Sequence, residues 1–257
     1  MLQRSVTALA SSGDAFLFAA RVLRDSVRTP FEGSEILRQI YELGWRSLPL
    51  ITAAGFAVGA VMSMHTRASL ERFGAEALIP AGLALALFKE TGPLVTGLLF
   101  AGRVGAGIGA ELGAMRVSEQ IDALESLAVD SFKYLVITRV VACIVVLPLL
   151  TTVMNFAGIL GGFLAETVIS GMIFTLYWDR AWSLISFADF VPSTLKTCVF
   201  GFIIGTVASY LGYNTTGGTE GVGQASTRSV VIASILIIVA NVVLVKAIFF
   251  MFPSAQG

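Results

Sequence analysis

Residues Val140 to Leu164 read VVACIVVLPLLTTVMNFAGILGGFL, twenty-five positions without an Asp, Glu, Lys, Arg or His. An α-helix rises 1.5 Å per residue, so about 20 apolar residues cross a bilayer's hydrocarbon, and this run suffices. Four other stretches qualify. Ser47–Met64 is uncharged, and apolar sequence from Ala77 to about Ala110 is interrupted by Lys89, Glu90 and Arg103. Val191–Leu211 contains Lys196, and Val230–Phe252 carries Lys246 near its end. The expected fold is an all-α integral membrane protein of five transmembrane helices. It forms a single domain over residues 1–257, with an N-terminal segment at 1–46, a five-span bundle at 47–252 and a loop at 111–130.

Composition agrees. Hydrophobic residues make up 56% of the 257 and charged residues 13%, where a soluble domain carries about 25% charge. The net charge of zero gives no reason to expect nucleic acid as a partner. A single histidine, His65, argues against a multi-histidine metal site or a Ser-His-Asp triad. Cys143 and Cys198 sit inside apolar runs and read as small core residues. No G-x-x-x-x-G-K-[ST] loop is present, so nothing in the chain reads as a nucleotide site.

Lys and Arg in the connections orient the spans. Arg4, Arg21, Arg24, Arg28, Arg38 and Arg46 precede the first span; Arg103, Arg116, Lys133 and Arg139 lie around the loop after the second; Arg228 precedes the fifth. The other side has Arg67, Arg72 and Arg180. Eleven against three puts the N-terminus in the cytoplasm and, with five spans, the C-terminus on the opposite face. Asp14 breaks the first apolar stretch, which argues against a signal peptide. Val6, Leu9, Phe16, Leu17, Val22, Leu23 and Val27 fall on a rough helical stripe, as in an amphipathic interfacial helix.

Glycines at four-residue spacing (Gly55 and Gly59; Gly105, Gly109 and Gly113; Gly158 and Gly162; Gly201 and Gly205) predict close helix packing. Ionisable residues at depth are costly, so each is a functional candidate. Lys89 and Glu90 lie roughly 18–20 Å along a helix that starts at Ala77. Asp189 and Lys196 are seven apart and share a face of span four, with Pro192 expected in that helix's first turn. These charges either pair to hold the spans together or line a water-accessible cavity for a polar headgroup. Lys246 can snorkel to the surface, and Asn155 and Asn241 are expected as interhelical hydrogen-bond donors. Between spans two and three, Ser118-Glu119-Gln120 reads as a helix start. Met115, Ile121, Leu124, Leu127 and Ala128 can form an apolar stripe, which either lies at the interface or inserts into a partner's groove.

Glu90-Thr-Gly-Pro-Leu-Val95, Leu99-Phe-Ala-Gly-Arg103, Ala110-Glu-Leu-Gly-Ala-Met-Arg-Val-Ser-Glu-Gln-Ile-Asp-Ala-Leu124 and Ala128-Val-Asp130 strongly resemble the MlaE-type permeases. These are membrane subunits of ABC systems that move phospholipid between bacterial membranes. The likeness extends over nearly the whole chain, through Leu147-Pro-Leu-Leu150 and Thr227-Arg228. It implies a homodimer in the bacterial inner membrane, an ABC ATPase subunit that uses ATP and Mg in trans, and a periplasmic MCE-domain protein. It leaves room for a small regulatory subunit on the ATPase, and implies no cofactor on this chain. The coupling helix for the ATPase would run from about Ser118 to Leu127, with Ser118, Glu119, Gln120, Asp122 and Leu124. Positions matching the family's charged lipid-cavity lining are Lys89, Glu90, Asp189 and Lys196. Relatives carry Arg-Glu where this chain has Lys89-Glu90, so the positive charge is kept and the bidentate fork is lost. Candidate acyl-chain walls are Met62, Leu70 and Phe73. The alternative reading is a proton-coupled secondary transporter with Glu90 as the titrating group, against which no inverted repeat is visible.

Overall fold

The computed structural model describes residues 2–26 and 32–251, and the backbone alone for residues 2–12, 187, 188, 249 and 251. Among the described residues every regular element is helical. In chain order these are α1 (Leu2–Asp25), α2 (Gly33–Leu70), α3 (Ile79–Ala86), α4 (Gly92–Phe100), α5 (Ala106–Val117), α6 (Gln120–Ser126), α7 (Thr138–Ser170), α8 (Phe174–Trp182), α9 (Phe187–Tyr213) and α10 (Gly218–Met251). Five helical stretches are long and apolar enough to cross a membrane: Gly33–Phe73, Glu76–Val117, Phe132–Ser170, Asp189–Tyr213 and Gly218–Ile248. The third is the most enclosed and the fifth the least.

An α-helix satisfies most of its backbone internally, the condition for crossing hydrocarbon. Hydroxyls follow the same rule: Thr138, Thr151 and Ser229 each donate to the carbonyl four residues back. The first span's helix begins at Gly33, well before Ser47, because the segment ahead of the apolar run is helix-compatible throughout. Pro192 lies inside α9, not in its first turn: the helix starts at Phe187, where Ser186 and Asp189 make the local turn that opens it.

The chain divides into two compact units, and each of the five long apolar stretches contributes a segment to both. One gathers described residues of Met1–Leu43, Phe100–Val145 and Gly201–Leu236. Its core is Val22, Phe132, Val136, Ile137 and Val140, with Phe18, Phe202 and Tyr213 packed against it. Phe18 meets Phe132 and Tyr210 edge-on, with ring centroids 5.1 and 5.3 Å apart. The expected N-terminal stripe therefore splits. Val22 is buried, while Phe16, Leu17 and Leu23 are exposed; the Val6 and Leu9 side chains, Val27 and Arg28 lie outside the described residues. A β-carbon on Gly201 would stand 2.5 Å from the Cys143 carbonyl, so α9 and α7 meet backbone to backbone.

The other unit gathers described residues of Gly44–Leu99, Val146–Phe200 and Ile237–Gly257. Here α8 packs on α3, and Leu83, Ala84, Leu87, Phe88, Ile159, Tyr177 and Ala181 form the core. Phe163, Phe174, Trp178 and Trp182 follow one another in ring contacts, and Trp182 continues to Phe88 and Phe156. A side chain on Gly59 would collide with the Gly158 backbone, and one on Gly161 with the Phe56 carbonyl. Gly171, at φ +66°, ends α7 in the left-handed conformation that glycine adopts without a β-carbon clash. Cys143 is buried and Cys198 half-buried, both as free thiols.

Candidate functional site

Between α3 and α4 the helix widens into one π-helical turn, Leu87–Thr91, closed by the Gly92 N–H donating to the Leu87 carbonyl. Pro93 lies four residues after Lys89 and has no N–H, so the Lys89 carbonyl lacks its α-helical donor. Lys196 of α9 takes that place, its Nζ donating to the Lys89 carbonyl at 2.9 Å and to Glu90 Oε2 at 2.9 Å. Asn241 of α10 donates to the other Glu90 oxygen. Lys89 Nζ stands 2.9 Å from Asp189 Oδ1, and the Ser186 N–H and hydroxyl donate to Oδ2 at 3.1 and 2.8 Å. The adjacent residues Lys89 and Glu90 thus meet the two charges of α9, and all four sit in two ion pairs.

Exposure separates the partners. The Lys196 and Asp189 side chains are 1% and 6% exposed, against 28% for Lys89 and 43% for Glu90. Each pair has a buried member that could not stand there uncompensated and an open one that an incoming polar group can reach. Beside this site a cleft of about 310 Å³ is walled by Phe156, Trp182, Ile185 and Phe190, with Ser186 at its edge. Gly92 is required for another reason: a β-carbon there would strike the Asn155 side chain. Asn155 is fully buried and makes no hydrogen bond among the described residues, so only Asn241 serves as the expected interhelical donor.

A second buried cluster is absent from the sequence expectations. Glu166 of α7, with no exposed side-chain surface, pairs with Arg67 of α2 and accepts from the Ser63 hydroxyl at 2.8 Å. Arg67 also approaches Glu76 at 3.6 Å. The signals for it were weak: Ser63 and Arg67 four apart, and a lone carboxylate near the end of span three. The candidate wall residues stand in different surroundings. Met62 packs on the core of its unit, Leu70 is half-buried, and Phe73 is exposed on a 3₁₀ turn. His65 and Lys246 are exposed, and no cluster fit for a metal occurs among the described residues.

The loop after span two forms a short helix, α6, which begins at Gln120, two residues after Ser118. Ser118 ends α5: its N–H and hydroxyl both return to the Ala114 carbonyl. Glu119 then takes φ +60° and α6 begins at Gln120, because a serine that bonds backward to its own helix cannot cap the next. Arg116 reaches forward to Asp122 at 2.7 Å. At the far end, Ser131 and Tyr213 both donate to Glu125 Oε1, at 2.7 and 3.1 Å. These two hydroxyls, Ser131 first, hold the Glu125 carboxyl below its ordinary value. Ile121 is buried and Leu124 half-buried, whereas Leu127 and Ala128 are exposed, so the stripe narrows to its first half. Glu119 and Gln120 are exposed and face no partner that would conceal them.

The sequence matches the family described as Permease MlaE over residues 36–247. A Rickettsia bellii protein named as a probable ABC transporter permease is 36% identical over 247 residues, spanning 96% of this chain and 95% of its own length. The Haemophilus influenzae protein named as the intermembrane phospholipid transport system permease MlaE is 32% identical over 234 residues, spanning 91% and 89%. The chloroplast protein TRIGALACTOSYLDIACYLGLYCEROL 1 of Arabidopsis thaliana is 32% identical over 228 residues, spanning 89% of this chain and 65% of that protein.

Proposed function

This chain belongs to the MlaE permease family, and we propose that it is the membrane subunit of an ABC system that moves phospholipid between the inner and outer membranes of a bacterium. The observation that carries this reading is the pair of half-open ion pairs, Lys89 with Asp189 and Glu90 with Lys196, set within apolar spans. A phospholipid headgroup can enter such a site by exchange. Its phosphate displaces Asp189 from the accessible Lys89, or its amine displaces Lys196 from the accessible Glu90. Lys89 meets a phosphate as a point charge, without the two-pronged grip of arginine, which favours release as well as capture.

The work comes from outside. With no phosphate-cradling loop of its own, the chain depends on an ATPase subunit that uses ATP and Mg, docked on α6 and its flanks. Two copies of the chain, each with its ATPase, take up alternating arrangements as the ATPases close, and a periplasmic MCE-domain protein receives the lipid. The hold on α6 through Asp122 and Glu125 turns a push on that helix into movement of the segments carrying Arg116, Ser131 and Tyr213. Of these, α9 also carries Asp189 and Lys196. The N-terminus faces the cytoplasm.

The test is a mild-detergent pull-down of the tagged chain, followed by reconstitution of what it recovers. A P-loop ATPase and an MCE-domain protein are expected, with ATP-dependent lipid movement that falls at least about tenfold in Lys89→Ala while assembly persists. Recovery of the chain alone, with lipid movement driven by a proton gradient, would overturn the reading in favour of a carrier titrating at Glu90. Glu90→Ala and Lys196→Ala variants that lose assembly or stability, with lipid movement per assembled complex unchanged, would leave these charges a structural role only.

A further inference from the structure

Away from the charged site, α1 lies against α9 and α10 over a cleft of about 460 Å³, lined among others by Ala15, Ala19, Phe202, Thr206, Tyr210 and Leu236. The walls are almost wholly apolar, so water gains nothing by filling it. Its existence follows from α1's sequence. Phe18 and Val22 anchor the helix to the core of its unit, while Ala15 and Ala19, on the same face, are too short to fill the space beneath them.

Three further observations identify the occupant. First, Phe16, Leu17 and Leu23 are exposed on the rest of α1, an apolar surface suited to lie in a membrane interface beside the cleft. Second, Arg21 and Arg24 both meet the Asp25 carboxylate, at 3.5 and 2.9 Å, with Glu125 also acting on Arg21, and their side chains stay 52% and 60% exposed. The Arg21 guanidinium lies 3.9 Å over the Phe132 ring, and ring contacts from Phe132 through Phe18 lead to Tyr210 in the cleft wall. Third, Thr206 is 6% exposed and its hydroxyl has no hydrogen-bond partner among the described residues. It lies two turns, about 10 Å, from the end of α9.

We propose that this cleft seats one acyl chain of a resident anionic phospholipid, with the phosphate at Arg21 and an ester carbonyl accepting from Thr206. This lipid is a fixture that pins α1 to the spans, distinct from the cargo at Lys89 and Glu90.

The full chain, purified from membranes with whatever subunits accompany it, is reconstituted with phosphatidylglycerol whose acyl chain carries a photoactivatable diazirine. Label is expected on peptides covering residues 13–26 and 199–213. Native mass spectrometry should show a retained phosphatidylglycerol that Ala19→Phe, which fills the cleft, removes. Arg21→Gln should lower the preference over phosphatidylcholine about fivefold, the effect of one interfacial cation. Label confined to other segments of the wild-type chain would overturn the proposal, and so would cross-links in this region to a second copy. Undiminished lipid retention in a folded Ala19→Phe would also overturn it. The position of the label separates this lipid from any bound at Lys89 and Glu90, which would mark peptides around residues 86–93 and 186–196, so failure of this proposal and failure of the transport reading are distinguishable.

Discussion

At the scale of single residues, Glu166 and Arg67 make the strongest demand on the fold. A carboxylate with no exposed surface is tolerated because Arg67 and Ser63 meet it. Glu166→Ala should cost up to about 3–5 kcal/mol, because the buried Arg67 then keeps only the more open Glu76 at 3.6 Å. Replacing both residues with apolar ones should cost clearly less than the two single changes summed. Thermal unfolding in detergent of the two singles and the double checks this, and strict additivity would refute the coupling. Glu125 gives a pH dependence. Its carboxyl is held below the ordinary 4.5 by Ser131 and then Tyr213, so its hold on the loop is complete above that value. The hold is lost as pH falls through the depressed value. Protection of α6 amides from hydrogen exchange should therefore drop below about pH 4.5 in the native chain, and Glu125→Gln should remove that drop. The residues at depth, Lys89, Glu90, Asp189 and Lys196, were legible in the sequence because charge in an apolar run stands out against its neighbours. Arg67 with Glu166 was not legible, because its partners lie 99 positions apart with no spacing rule to join them.

At the scale of elements, the five spans could be read from apolar length, since only a helix satisfies a backbone through that thickness. The wide turn at Leu87–Thr91 could have been suspected from Gly92-Pro93, where an N–H is missing and a β-carbon is forbidden. The start of α6 was misread because a serine's preference for helix ends does not say which helix it closes. The small-residue spacing makes a sharp forecast. Gly59→Ala forces a β-carbon into the Gly158 backbone and should destabilise by about 1–3 kcal/mol, despite alanine's better helix propensity. Gly107→Ala meets open space and should stay within about 0.5 kcal/mol of the native chain. Thermal unfolding of the two variants side by side decides it; equal effects would show that the close approach carries no weight.

At the scale of the whole molecule, five crossings would leave the two ends of the chain on opposite faces. With the basic side inward, alkaline phosphatase fused after the last residue should be active and green fluorescent protein at the same place dark. The reverse pattern would invert every side assigned to α6 and the charged site. The two ion pairs carry a last consequence, in voltage. A unit charge carried through 100 mV exchanges about 2.3 kcal/mol with the field. Lys89 with Asp189 and Lys196 with Glu90 sum to zero, so while the pairs hold, these side chains can shift together without the membrane potential favouring either direction. Movement of the four side chains as closed pairs is therefore expected to be the same in an energised and a depolarised membrane.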